Sequence, residues 1–167
     1  MVTQVALFAY LDKLGIIYTL HRHKPVFTVS ESEQAKLNLQ AAGTKNLFLK
    51  DRKKQYWLIT ASHETVIDLK ETARAFGVGG FSFASPDSLL HYLGVTPGSV
   101  TPLGLLQDTQ VVVHFVLDAT LVKCPYVGVH PLENNATLSL APAELMSFVA
   151  ATGHKPHVFD FINKCIA

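Results

Sequence analysis

TKNLFLKDRKKQYWLITA, residues 44–61, divides into two β-rich runs, Thr44 to Lys50 and Gln55 to Ala61, around the polar Asp51 to Lys54. Aliphatic, aromatic and β-branched runs broken by a short polar segment make a hairpin with a longer loop. The next strong apolar run is VVVHFVL, Val111 to Leu117, so nearly continuous that it reads as a central strand covered on both faces. A hairpin and a buried strand with helical patterns scattered among them predict an α+β fold rather than a doubly wound sheet.

Working outward, Thr3 is a plausible N-cap for a first helix carrying Val5, Phe8, Leu11 and Leu14 at helical spacing, and Gly15 is placed to stop it. Ile16 to His21 and Val26 to Val29 read as short strands. Ser30 with Glu33 makes a capping box for a helix to about Leu39, closed by Gly43. Asp68 caps a helix ending near Phe76, before Gly77, Gly79 and Gly80. Ser85 followed by Pro86 starts another, with Leu89, Leu90 and Leu93 and an end at Gly94, because proline at the first helical position gives up an N–H that had no partner. Two strands follow at Tyr126 to His130 and Thr137 to Leu140, and Pro142 opens a last helix through Ala151, stopped by Gly153. No repeat or linker interrupts the pattern, which predicts one domain over 1–167.

A chain of 167 residues can bury about 70% of its unfolded surface, enough for one core without metal or disulfide staples. With 49% hydrophobic and only 16% charged residues it is far from a disordered composition. The net charge of +1 generates no global field for nucleic acid, so DNA is not an expected partner and any RNA contact must be local. Lys50, Arg52, Lys53 and Lys54 form the one dense basic run, either a solvated turn or a phosphate-contacting patch. The two cysteines form no CxxC, residues 1–20 show no basic n-region followed by an apolar h-region, and no stretch approaches 18 uninterrupted apolar residues. We expect a cytoplasmic protein without a membrane span.

Three stretches carry candidate chemistry. In the hairpin's first strand Lys45 shares a face with Leu47 and Leu49, and a lysine there needs a partner, a cleft or an escape to water at the strand's edge. GVTPGSVTPLGLL, Gly94 to Leu106, is either a rigid connector or a loop presenting backbone N–H groups to a developing oxyanion. Within GVHPLENN, Gly128 to Asn135, His130 ends a strand beside a proline turn, as a structural histidine or one reaching a cleft. Eight histidines raise the question of zinc, but no HExxH or paired CxxC accompanies His21 and His23 or His154 and His157. No GxSxG elbow and no complete cofactor motif occurs, so neither metal nor cofactor is expected.

FTVSESEQ at 27–34, TKNLFLKD at 44–51, GVTPGSVTPLGL at 94–105 and GVHPLENNATLSL at 128–140 together resemble the YbaK and prolyl-tRNA synthetase insertion-domain superfamily, more closely its PrdX or ProXp-ala branch. The resemblance covers essentially the whole chain. It implies a mixed, partly barrel-like sheet surrounded by helices, and an editing deacylase that strips a misattached amino acid from tRNA. The family's active-site lysine matches Lys45, followed by Asn46; its GXXXP loop matches Gly98, Ser99, Val100, Thr101 and Pro102; its histidine in this branch matches His130. The cysteine-removing branch usually has threonine after the lysine, so Asn46 argues for alanine.

The resemblance therefore implies hydrolysis of alanyl-tRNA(Pro), with the acceptor end of a proline tRNA as partner and prolyl-tRNA synthetase as a further partner to test. A synthetase pocket shaped for proline cannot exclude alanine, since missing methylenes cost only roughly 1–3 kcal/mol each, and a second, smaller site restores accuracy. No Ser, Cys or metal nucleophile stands out, which points to direct attack by water, and the resemblance implies that a ribose hydroxyl of the terminal adenosine helps to activate it. Leu20, Val29 and Ser30 are expected to shape the amino-acid pocket. The rival readings are a non-catalytic tRNA-binding or synthetase-associated module, and a deacylase of the same fold acting on cysteine or serine.

Overall fold

A computed structural model describes residues 1–24 and 41–167. The strand expected at 26–29 and the helix expected from Ser30 to Leu39 lie outside the described residues. The chain begins with α1 (Gln4–Lys13), where the Thr3 hydroxyl accepts from the Ala6 amide. β1 (Tyr18–Arg22), β2 (Thr44–Asp51) and β3 (Tyr56–Ser62) follow, then α2 (Leu69–Phe76), β4 (Phe81–Phe83) and α3 (Pro86–Leu93). A short 3-10 helix (Pro102–Leu106) leads to β5 (Val113–Asp118), α4 (Ala119–Val122), β6 (Val127–Val129), β7 (Ala136–Leu140), α5 (Pro142–Ala151), β8 (Pro156–Asp160) and β9 (Cys165–Ile166).

The strands form two sheets, a six-stranded one in the order β4-β2-β3-β5-β8-β9 and a three-stranded one in the order β1-β7-β6. The larger is mixed: β2 runs antiparallel to β3 and β4, whereas β3, β5 and β8 are parallel. The sheets meet where Ala42 bridges Val127 and where the Thr44 hydroxyl donates to the Gly128 carbonyl at 2.6 Å. Among the described residues they do not close into a barrel, so α+β with two joined sheets replaces the partly barrel-like expectation.

Alternation along β5 explains its continuous apolarity. Phe115 and Leu117 enter a large core with Leu7, Leu58, Leu103, Leu138 and Phe148, while Val116 faces a smaller one with Leu49, Ile59, Phe159 and Phe161. A side chain as deeply buried as Phe115 contributes about 1.5–3 kcal/mol. Local chemistry sets the helix ends as read: Asp68 caps α2, Ser85 caps α3, and Gly77 and Gly94 close them at φ of 72° and 68°.

Two expectations are corrected. In α1 it is Leu7 and Leu11, four apart, that are fully buried, while Val5 is 79% exposed and Leu14 lies at the helix's C-cap. Val111 and Val112 precede β5 and are exposed, because the buried carboxylate of Asp108 accepts from the Val113 amide and fixes the strand's start there. The strands β4, β8 and β9 and the helix α4 carried no clear periodicity.

Candidate functional site

β3 and β5 are parallel and β2 antiparallel to β3, so the start of β2 and the C-terminal ends of β3 and β5 share one end of the large sheet. Lys45, Ser62 and Asp118 therefore gather there. Lys45 is half-buried and its Nζ donates to the Thr65 carbonyl. Among the described residues that ammonium makes no other hydrogen bond or ion pair, which leaves two N–H groups for a ligand.

Asn46 points to the opposite face of β2, as strand alternation demands. Its Oδ1 accepts from the hydroxyl of its cross-strand partner Thr60 at 2.6 Å, and Thr60 is fully buried. Thr44 shares that face and reaches Gly128, beyond which the segment at Ala42 and β6 run parallel. Asn46 and His130 thus lie two residues past the same contact, in the same direction along adjoining chains. His130 is half-buried, with Nδ1 3.2 Å from the Ala136 carbonyl.

Gly98, with φ of 93°, is exposed, whereas Ser99, Thr101 and Pro102 are buried. The Thr101 hydroxyl accepts from the Leu103 amide and the Ser99 amide donates to the Thr96 carbonyl, which stiffens the loop. Gly104 is required because a Cβ there would stand 2.7 Å from the Leu93 carbonyl oxygen. The amides of Val100 and Thr101 take part in none of the hydrogen bonds among the described residues. Ser99 lines a cleft of about 520 Å³ with Thr96, Leu132 and Asn135, a cleft that Lys45, Asn46 and His130 do not line.

Leu20 is half-buried in β1 opposite Leu138 of β7; Val29 and Ser30 lie outside the described residues. Arg52, Lys53 and Lys54 are exposed on the β2–β3 turn, and Lys50 sits 6.0 Å from the Tyr56 ring. Asp51 organises that turn: its buried carboxylate accepts from the amides of Lys53 and Gln55 and from the Trp57 indole. Arg52 lies seven residue steps along the chain from Lys45, about 23 Å in strand geometry, so the basic turn is at the far end of the sheet from the lysine. His154 pairs with Asp108 at 2.8 Å, and His23 Nε2 lies 2.8 Å from the Thr137 hydroxyl.

The sequence reading passed over Thr60, Thr65 and Asp118. Asp118 had a usable signal, since it follows an apolar run at the carboxyl end of a parallel strand, where open sheets place functional groups. His63 was missed as well; its ring covers Gly43, whose Cβ would lie 2.5 Å from Nδ1.

The profile of the aminoacyl-tRNA editing domain matches residues 23–148. The prolyl-tRNA editing protein ProX of Acetoanaerobium sticklandii is 41% identical over 150 residues, 89% of this chain and 92% of that protein. Prolyl-tRNA synthetase associated domain-containing protein 1 of Xenopus laevis is 40% identical over 160 residues, 93% and 95% of the two chains. A protein crystallised as a candidate trans-editing enzyme for prolyl-tRNA synthetase shares the fold with a TM-score of 0.70 at 22% identity, over 96% of this chain and 97% of that one. By sequence and by fold, the chain belongs to the aminoacyl-tRNA editing domain family.

Proposed function

We propose that this protein is a trans-editing deacylase that hydrolyses the ester of mischarged tRNA, with alanyl-tRNA(Pro) as its substrate. The observation that carries the reading is the Lys45 ammonium, half-buried at the sheet end with one carbonyl partner and, among the described residues, no acceptor for its two other N–H groups. A partly desolvated cation in that condition is an anion site, and the 3′-terminal phosphate or ribose of a charged tRNA supplies the acceptor. Because Lys45 and Asn46 diverge, the terminal adenosine would lie over the end of β2 rather than against one face. Asn46 and His130 then orient the aminoacyl carbonyl or amino group.

The amides of Val100 and Thr101, without a hydrogen-bond partner among the described residues, support the backbone of Gly98 to Pro102 as donors to the reacting ester, where oxyanion charge develops. Water attacks the carbonyl carbon, its proton passing by way of the adenosine's free ribose hydroxyl to the departing ribose oxygen, and the ester's C–O bond breaks to release amino acid and free tRNA. The names of the relatives, a prolyl-tRNA editing protein and a prolyl-tRNA synthetase associated domain-containing protein, support the product of prolyl-tRNA synthetase's errors as the class acted on. The basic turn, remote from Lys45, would touch the acceptor stem and not the 3′ end; the bonds of Asp51 account for that turn without RNA.

A panel of tRNA(Pro) charged with alanine, serine or cysteine tests the specificity. We expect the alanyl ester to be cleaved at least about tenfold faster than the cysteinyl ester, a difference of one to two kcal/mol of side-chain fit. Preferred hydrolysis of cysteine or serine would assign this site to another amino acid, and no hydrolysis at all would leave a tRNA-binding module.

A further inference from the structure

The Lys45 amine does not hold its place alone. Its acceptor, the Thr65 carbonyl, belongs to the turn that follows β3, and a carboxylate from another strand fixes that turn. Asp118, 1% exposed at the end of β5, accepts at Oδ2 from the Ser62 amide at 3.0 Å and from the Thr65 hydroxyl at 2.5 Å. Its Oδ1 caps α4 by accepting from the Thr120 amide at 3.0 Å. One buried carboxylate thus ties together the ends of β3 and β5 and the residue whose carbonyl receives the lysine. Three accepted hydrogen bonds satisfy a buried carboxylate that would otherwise be costly to desolvate.

We infer that Asp118, acting through the Thr65 hydroxyl, is a positioning residue that aims the Lys45 ammonium at the substrate. This rests on the reading of Lys45 as a substrate-contacting cation. Freed of the Thr65 carbonyl, a lysine side chain has several rotamers and its charge is spread over a larger volume. Held there, its two remaining N–H groups keep one direction, the condition under which a single charge discriminates a transition state from a ground state.

Thr65→Val removes only the hydroxyl, and Thr65→Ser restores it. Asp118→Asn keeps a cap for α4 but turns an amide donor toward the Ser62 N–H. Two readouts are needed. The first is single-turnover hydrolysis of alanyl-tRNA(Pro) at enzyme excess for Thr65→Val, Asp118→Asn and Lys45→Ala, alone and combined. We expect the first two variants to lose about 10- to 100-fold, the range that outer-shell partners command elsewhere, in the rate constant at saturating enzyme and not in the enzyme concentration that half-saturates it, and Thr65→Ser to stay near wild type. In the Lys45→Ala background neither should cost anything more, since a residue acting through Lys45 has nothing left to position.

The second readout is the rate at which a lysine-acylating reagent modifies Lys45, followed by mass spectrometry of the peptide. It should rise several-fold in Thr65→Val and Asp118→Asn and stay at wild-type level in Thr65→Ser. Unchanged labelling, or losses that multiply with that of Lys45→Ala, would overturn the positioning role. Full activity of Lys45→Ala with faster labelling in the Thr65 and Asp118 variants would instead overturn the functional reading, leaving Asp118 as a clamp on an idle amine.

Discussion

Lys45→Ala is expected to lower the rate of alanyl-tRNA(Pro) hydrolysis by about 100- to 1,000-fold, the loss that follows when one preorganised donor to developing charge is removed. The folded protein should survive the change. The Lys45 stem lies on a half-buried strand end and its amine makes one hydrogen bond to a carbonyl, so the stability lost is roughly 1 kcal/mol. For a chain of this size that shifts Tm by about 2–4 °C. A single-turnover assay beside a melting curve separates the outcomes: an inactive, well-folded variant supports a substrate-contacting lysine, and an unfolded one would make Lys45 structural.

The second large effect concerns stability. His154 is 3% exposed and Asp108 5%, and the pair fastens the chain before β5 to the end of α5. The Asp108 carboxylate also accepts from the Val113 amide at 2.8 Å, and the Thr152 hydroxyl is 2.8 Å from His154 Nδ1. Truncating one partner of such a buried pair strands the other, a cost of about 3–5 kcal/mol. His154→Ala should therefore lower Tm by about 6–20 °C in calorimetry.

Burial alone would push the Asp108 carboxyl up, but the hydrogen bonds from His154 and from the amides of Val113 and Val112 outweigh it and hold the carboxyl below its ordinary value. The lowered group stabilises the fold fully above the ordinary aspartate value, near pH 4, and that contribution disappears as pH falls through the lowered value. Asp108→Asn should be less stable than wild type at pH 7, and the gap should narrow in acid below pH 4. A gap that stays constant through that window would show that the carboxylate's charge contributes nothing.

Where the fold could be read in the sequence, short-range chemistry carried the information. Asp68, Gly77, Ser85, Pro86 and Gly94 mark helix ends through bonds and dihedrals confined to a few residues. The 44–61 hairpin was legible because its two apolar runs bracket a polar turn, and β5 because both its faces are covered. The face of α1 was misread because Val5, Phe8 and Leu11 compete with Leu7 and Leu11 as apolar stripes, and only packing decides between them. Val111 and Val112 looked like strand until the Asp108 side chain was seen to fix where β5 begins.

The arrangement of the candidate residues was less legible than their identity as candidates. The opposite orientations of Lys45 and Asn46 follow from strand alternation alone. The tie between Thr65 and Asp118 joins residues 53 positions apart and leaves no local trace. Nor does composition reveal that the basic turn and Lys45 occupy opposite ends of one sheet, a consequence of β2 being a single eight-residue strand.

Size-selective ester hydrolysis is the claim on which the account stands, and the most direct measurement compares alanyl-tRNA(Pro) with prolyl-tRNA(Pro) in one time course with purified protein and added chelator. The account predicts rapid release of alanine, unaffected by chelator, with proline left attached. Release of proline at a comparable rate, or survival of the alanyl ester at its spontaneous rate, would contradict it.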